Sequence, residues 1–456
     1  MRRIAMPALV IGLALAPMAQ AQFLPYPVHK RTLANGLDVV VIETPEFRDV
    51  LSFNTLIMAG SGRESEKGRS GLAHLFEHIM FRHDHDTPKA YQPAMEEMGA
   101  FNNAYTWYDV TFYHPLTFTS NLEELVALEG SRFRDLRYSE QVFRTEAGAV
   151  HGEYRRIASD PGLRLEEILS DLMYGPRHGY GHSTIGYLDD VKDMPNAYRS
   201  AVAFYNTYYR PNNAVVVVAG DVKPEEVFGL VEKHYGTWER RPLPEQPGPG
   251  PVSGPKTRHE VWPADVPPRV VVAYQVPKFV PGSTEGAVIQ VVSELMGGET
   301  APLYRKLRFE EQVATQLFVD NFSAVGFDPR PLSTDVTVAE EKYGQQGREL
   351  LNRIGADVAT AFEGMSSFSS QPGGAQRLEA IKSQLRYDIL SSLNSPANIA
   401  ESFATYYRFT RDPEVFDKMA AAIARLTPAD VEAFARANFR PDRRVTITLA
   451  PQGGAR

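Results

Sequence analysis

The chain has 456 residues, 43% hydrophobic and 23% charged, with a formal net charge of −8 and no cysteine. An acidic balance with no basic stripe argues against nucleic acid as a partner. The lack of cysteine excludes disulfide bracing and thiolate metal ligands, so packed cores must hold the chain.

Residues 1–21 read as a cleavable signal peptide. Arg2 and Arg3 form a basic start, residues 4–16 are apolar but too few to span a bilayer, and Ala19-Gln20-Ala21 is a cleavage signature. Export to the periplasm or beyond the cell is expected. No other stretch is long and apolar enough to cross a membrane. The remainder is too long for one ordinary core.

Residues 37–43 (LDVVVIE), introduced by the Asn35-Gly36 turn, predict a strand, and residues 50–59 predict a second. Residues 71–81, GLAHLFEHIMF, predict a helix, with Ser70 and Gly71 where an N-cap belongs. This helix carries His74, Glu77 and His78 in the order H-x-x-E-H. Positions four apart share a helix face, so the two imidazoles make half of a tetrahedral zinc site. Glu77 lies at the same rim, where it can serve as a general base toward a metal-activated water. The order is that of the inverted zincins. The bland alternative is a solvated polar face. The apolar residues surrounding the three argue against it, because charged groups in such a setting need partners.

Next comes the run RHDHD at residues 82–86. His83 and His85 are spaced i,i+2 in a loop, which fixes no ligand geometry, so a solvated loop is expected there. Residues 92–98 predict a short helix. Residues 107–113, rich in aromatics, predict an edge strand and its neighbour, either plain core or an edge that an extended peptide could join. Residues 121–136 and 140–157 predict two long helices. On the second, Glu146 and Glu153 are seven apart and share a face. Two histidines need a third protein ligand, and either Glu, or His151, could supply it.

AFYNTYYRP begins at Ala203 and AFARANFRP at Ala433, each running into a β segment, at Val215 and Val445. The chain therefore reads as a duplicated unit. Residues 240–256, dense in Pro and Gly, predict a linker between a first unit, 22–239, and a second, 257–456. In the second unit a helix at 285–296 takes the place of the motif helix and carries no histidine, so no metal is expected there.

The chain resembles the pitrilysin (insulinase, mitochondrial processing peptidase) family of zinc metallopeptidases. The resemblance rests on His74-Leu-Phe-Glu77-His78, on Glu146 with Glu153, on residues 103–106 (NAYT), on residues 209–215 with Gly220-Asp221, and on residues 295–298, 303–308 and 426–431. It implies an α+β fold of two homologous domains, each a mixed β-sheet covered by α-helices. It implies one zinc per chain on His74, His78 and Glu153, Glu77 as the base, and Glu146 as a supporting carboxylate. Asn103 and Ala104 are implied to lie on the edge strand that holds the substrate backbone. The implied activity is zinc-dependent endopeptidase action on peptides or unfolded segments. Some members are instead non-catalytic assembly subunits, but the intact ligand and base set favours the enzyme. Complete members form a closed chamber of four such domains, which implies a second two-domain chain, either a metal-free relative or another copy. The chambers also use an Arg and a Tyr from a metal-free half; that pair is not assigned in this chain. Residues 82–85 depart from the family's usual turn after the motif.

Overall fold

The computed structural model describes residues 23–64, 66–84, 90–176, 178–245, 248–321 and 323–453. The expected signal peptide, His85 and Asp86 lie outside the described residues. The described chain folds around two mixed sheets.

The first sheet contains β1 (Val28–Thr32), β2 (Asp38–Glu43), β3 (Val50–Ile57), β4 (Ala104–Thr106), β5 (Thr111–Tyr113), β6 (Leu116–Phe118) and β7 (Ala214–Gly220). Their order is β1-β2-β7-β3-β5-β4, with β6 also on β3; β2 and β7 run parallel and the other pairs antiparallel. The second sheet contains β8 (Lys256–Trp262), β9 (Arg269–Val276), β10 (Ala314–Asp320), β11 (Arg330–Val338) and β12 (Arg444–Pro451). Read from the far end, its order is β8-β12-β9-β11-β10, again with one parallel pair, β8 and β12. Strand for strand this repeats the run from β2 to β4, so the duplication read from two short segments extends to sheet topology.

The helices follow the same plan. The first half contributes α1 (Leu72–Met80), α2 (Tyr91–Glu97), α3 (Leu122–Arg134), α4 (Glu140–Ile157), α5 (Pro161–Tyr174), α6 (Leu188–Asp193), α7 (Tyr198–Tyr208) and α8 (Pro224–Tyr235). In the second half α9 (Thr284–Gly297) lies between β9 and β10 as α1 lies between β3 and β4. The repeated segments end α7 and the helix Pro428–Asn438; each then passes through one 3-10 turn into its strand, β7 or β12. Proline at the first position of each 3-10 turn explains why both helices stop there.

Side chains alternate across a strand, so each sheet has two faces to bury. On the first sheet Val39, Val41, Leu51 and Phe53 pack with α1, α3 and α8, whereas Val40, Ile42, Leu56, Val215 and Val217 belong to the other cluster. That second face is covered by the helix Pro396–Thr410, which comes from the other half of the chain. The arrangement is reciprocal. Val271, Ala273, Val445, Ile447 and Leu449 of the second sheet pack against Leu165, Ile168 and Met173 of α5, from the first half. Arg330, buried, stacks on Tyr108 with its guanidinium 3.8 Å from the ring centre and on Tyr180 at 4.6 Å, again joining the halves.

Two expectations need correction. The aromatic run is not an edge strand followed by its neighbour. The edge strand is β4, ending at Thr106; Trp107 to Val110 closes a turn, with Trp107 N–H donating to Val110 O, and only then does β5 begin. Nor does Ser70 cap α1. Its hydroxyl is held by Asp190 Oδ2 at 2.6 Å, and the cap position is Gly71, which has no side chain.

Candidate metal centre

Helix α1 turns Leu72, Ala73, Leu75, Phe76, Ile79 and Met80 into the core, which leaves His74, Glu77 and His78 on its remaining face. That face looks toward α4 and β4. On α4 the buried stripe is Phe143, Glu146, Ala147, Val150 and Tyr154, so Glu146 and Glu153 are both carried toward α1.

His74 Nε2 and His78 Nε2 each lie 3.6 Å from Glu153 Oε2. One donor atom from each of the three residues falls within 4.8 Å of the others, and among the described residues this is the metal-capable His/Asp/Glu group found. Tetrahedral zinc with ligand bonds of ~2 Å sets its donors ~3.3 Å apart, so two imidazoles and a carboxylate at this spacing fit zinc.

Glu146 does not converge on that point. It is buried between Arg82 and His78: Arg82 Nε donates to its Oε1 at 2.8 Å, and its Oε2 lies 3.4 Å from His78 Nδ1. A metal-ligating histidine is normally oriented through its other ring nitrogen, and Glu146 does this for His78. His74 differs: its Nδ1 is buried and has no hydrogen-bond partner among the described residues.

The electrostatics follow from this layout. Burial, reinforced by the neighbouring His78, pushes His74 down to about 3, so it is a neutral donor at ordinary pH. Burial would also lower His78, but the Glu146 hydrogen bond and the charges of Glu77, Glu146 and Glu153 outweigh it and raise the imidazole. Burial raises the Glu77 carboxyl, with the Thr106 hydrogen bond and His78 pulling the other way. Burial would raise Glu146 too, but His78 and Arg82 hold it below the usual range.

Glu77 Oε2 accepts a 2.7 Å hydrogen bond from the Thr106 hydroxyl. Thr106 closes β4, whose first residue is Ala104. Asn103 sits just before the strand, and its Oδ1 accepts the Ala104 N–H at 2.9 Å. The expected solvated loop after the motif is wrong for His83. The ring is buried, Nε2 meets Ser131 Oγ at 3.1 Å, and Nδ1 accepts the Arg137 N–H at 3.2 Å, so both nitrogens are used in packing. The contacts of Thr106 and Arg82 with Glu77 and Glu146 were given no role by the sequence pattern, because β4 and α4 reach α1 only through the tertiary fold.

Residues 39–183 match the family model described as insulinase (peptidase family M16), and residues 198–360 match that of the peptidase M16 inactive domain. The zinc protease PqqE of Helicobacter pylori is 26% identical over 436 residues, 92% of each chain. The crystal structure of a protease from Helicobacter pylori superposes with a TM-score of 0.82 at 23% identity, covering 93% of this chain and all of that one. Pitrilysin superposes at 0.77 with 16% identity over 94% of this chain, which spans only 45% of pitrilysin.

Proposed function

We propose that this chain, which belongs to the insulinase family of peptidases, family M16, is a zinc-dependent endopeptidase acting on peptides or unfolded segments. The observation that carries the reading is the convergence of His74, His78 and Glu153 beside a separate carboxylate, Glu77. His74, His78 and Glu153 would hold zinc, which would supply a Lewis acid and a water acidified to about pKa 7. Glu77 is not a ligand. It takes a proton from the attacking water and returns it to the leaving nitrogen. The raised Glu77 carboxyl suits a group that must both accept and release a proton. Glu146 orients His78 through its Nδ1. A substrate backbone pairs with the open side of β4 at Asn103 and Ala104, gaining main-chain hydrogen bonds with little demand on side chains.

The active species contains a second two-domain chain, either a metal-free relative or another copy. Supporting this, α9, the counterpart of α1, carries no histidine, so the second half does not repeat the candidate site. The leader at residues 1–21 directs the protein to the periplasm or the medium. Among the described residues no helix is long and apolar enough to cross a membrane.

The test is metal analysis of the purified protein together with cleavage of unstructured peptides, with and without a chelator. One equivalent of zinc and chelator-sensitive cleavage are expected. Zinc without cleavage under any partner or concentration would favour the assembly-subunit reading instead. Light scattering with specific activity followed on dilution tests the partner, since a fully active monomer at every concentration rules it out.

A further inference from the structure

Helix α1 has only nine residues, and its cap residue Gly71 brings no side chain. The first turn still needs acceptors for its amide groups. They come from Glu64, seven residues upstream and buried. Its Oε2 accepts the Gly71 N–H at 2.7 Å and its Oε1 the Ala73 N–H at 2.5 Å. Behind it, His182 is also buried, with Nδ1 2.8 Å from Ser183 O and Nε2 3.8 Å from Glu64 Oε2. A carbonyl can only accept, so Nδ1 carries the proton and Nε2 is turned toward Glu64. Gly71 adopts φ 88°, and a Cβ there would meet Ile185 O at 2.5 Å, so the helix start is wedged against the 183–190 segment.

The next residue after Ala73 is His74, whose second ring nitrogen has no partner among the described residues. His78 is oriented from the side by Glu146; His74 has no such support, and its place depends on the backbone that carries it.

We propose that Glu64, backed by His182, is the positioning residue of the metal helix: by fixing the Gly71 and Ala73 amides it sets the place of His74 and so the zinc affinity of the centre. The inference rests on the metallopeptidase reading. It assigns a function to two buried titratable groups that the proposed chemistry does not use.

The test is zinc affinity, measured by competition with a chromophoric chelator on folded protein and independent of turnover. In either protonation state both Glu64 oxygens can accept, but an amide nitrogen cannot. Glu64→Gln therefore turns one acceptor into a donor facing a backbone N–H. Zinc affinity should fall about 10- to 100-fold, the range for partners that orient ligands. A merely structural role would lower the melting temperature of the metal-free protein and leave the zinc affinity alone. If Glu64→Gln does not fold, His182→Gln, which leaves the carboxyl in place, should weaken zinc in the same direction. Wild-type affinity in a folded Glu64→Gln protein, or in His182→Gln if only that folds, overturns the proposal. A wild-type chain that takes up no zinc overturns the metallopeptidase reading, and this inference with it.

Discussion

The Thr106 hydroxyl donates to Glu77 Oε2 at 2.7 Å, tying the last residue of the edge strand to the carboxylate beside the two histidines. Strand and carboxylate are thereby one mechanical unit. A hydrogen bond to a carboxylate is worth about 1.5–3 kcal/mol, or roughly 10- to 100-fold. Thr106→Val should lower turnover by at least about tenfold with zinc retained, and Thr106→Ser should restore most of it. Steady-state kinetics on the three proteins check this; equal rates in Thr106→Val would remove the bond from the mechanism.

Glu77→Gln should abolish hydrolysis, with a loss of at least about 100-fold, and keep the metal, because Glu77 holds no place among the convergent donors. Metal content and peptide cleavage are measured side by side. Loss of zinc from a folded variant would make Glu77 a ligand, and full activity would free it of any role.

Glu153→Gln should strip zinc far more than Glu146→Gln. Glu153 Oε2 is the oxygen 3.6 Å from both histidines, whereas Glu146 is spent on Arg82 and His78. The Glu146 variant should weaken zinc about 10- to 100-fold through misorientation of His78. Greater metal loss in the Glu146 variant would reverse the two assignments.

Burial pushes the Glu64 carboxyl from the ordinary 4.5 up to about 8, against the backbone amides that pull it down. The folded chain thus holds a proton that the unfolded chain releases. Its contribution is fully present below about pH 4.5 and is lost as pH rises through about 8. Metal-free wild type should therefore lose melting temperature between pH 5.5 and 8.5 more steeply than Glu64→Gln. Parallel curves for the two proteins would contradict it.

The motif helix was legible because its signal is local: apolar residues at helical spacing and two histidines four apart. The long helix at Glu140–Ile157 was legible for the same reason, its buried stripe recurring at Phe143, Ala147, Val150 and Tyr154. Which glutamate faces the histidines was not, since Glu146 and Glu153 share one face and only the packing of α4 on α1 separates them. The edge strand was misplaced by a few residues because β-rich aromatics continue through the turn after Thr106. His83 looked like a loop residue because its partners, Ser131 and Arg137, lie about 50 positions away. Glu64 gave no signal at all; its partners are main-chain amides, which no side-chain pattern records.

The crossed helices carry a consequence for how the molecule came to be and how it comes apart. After the duplication, α5 was committed to the second sheet and Pro396–Thr410 to the first, so deleting either copy would strip a buried valine face from the survivor. The half whose α9 carries no histidine supplies the helix that covers the first sheet. A protease cut within residues 240–245 would sever the peptide and leave the fragments clasped together. Calorimetry on such a nicked sample would still record a single heat-absorption peak, and the first half alone would not refold after the fragments are parted in denaturant.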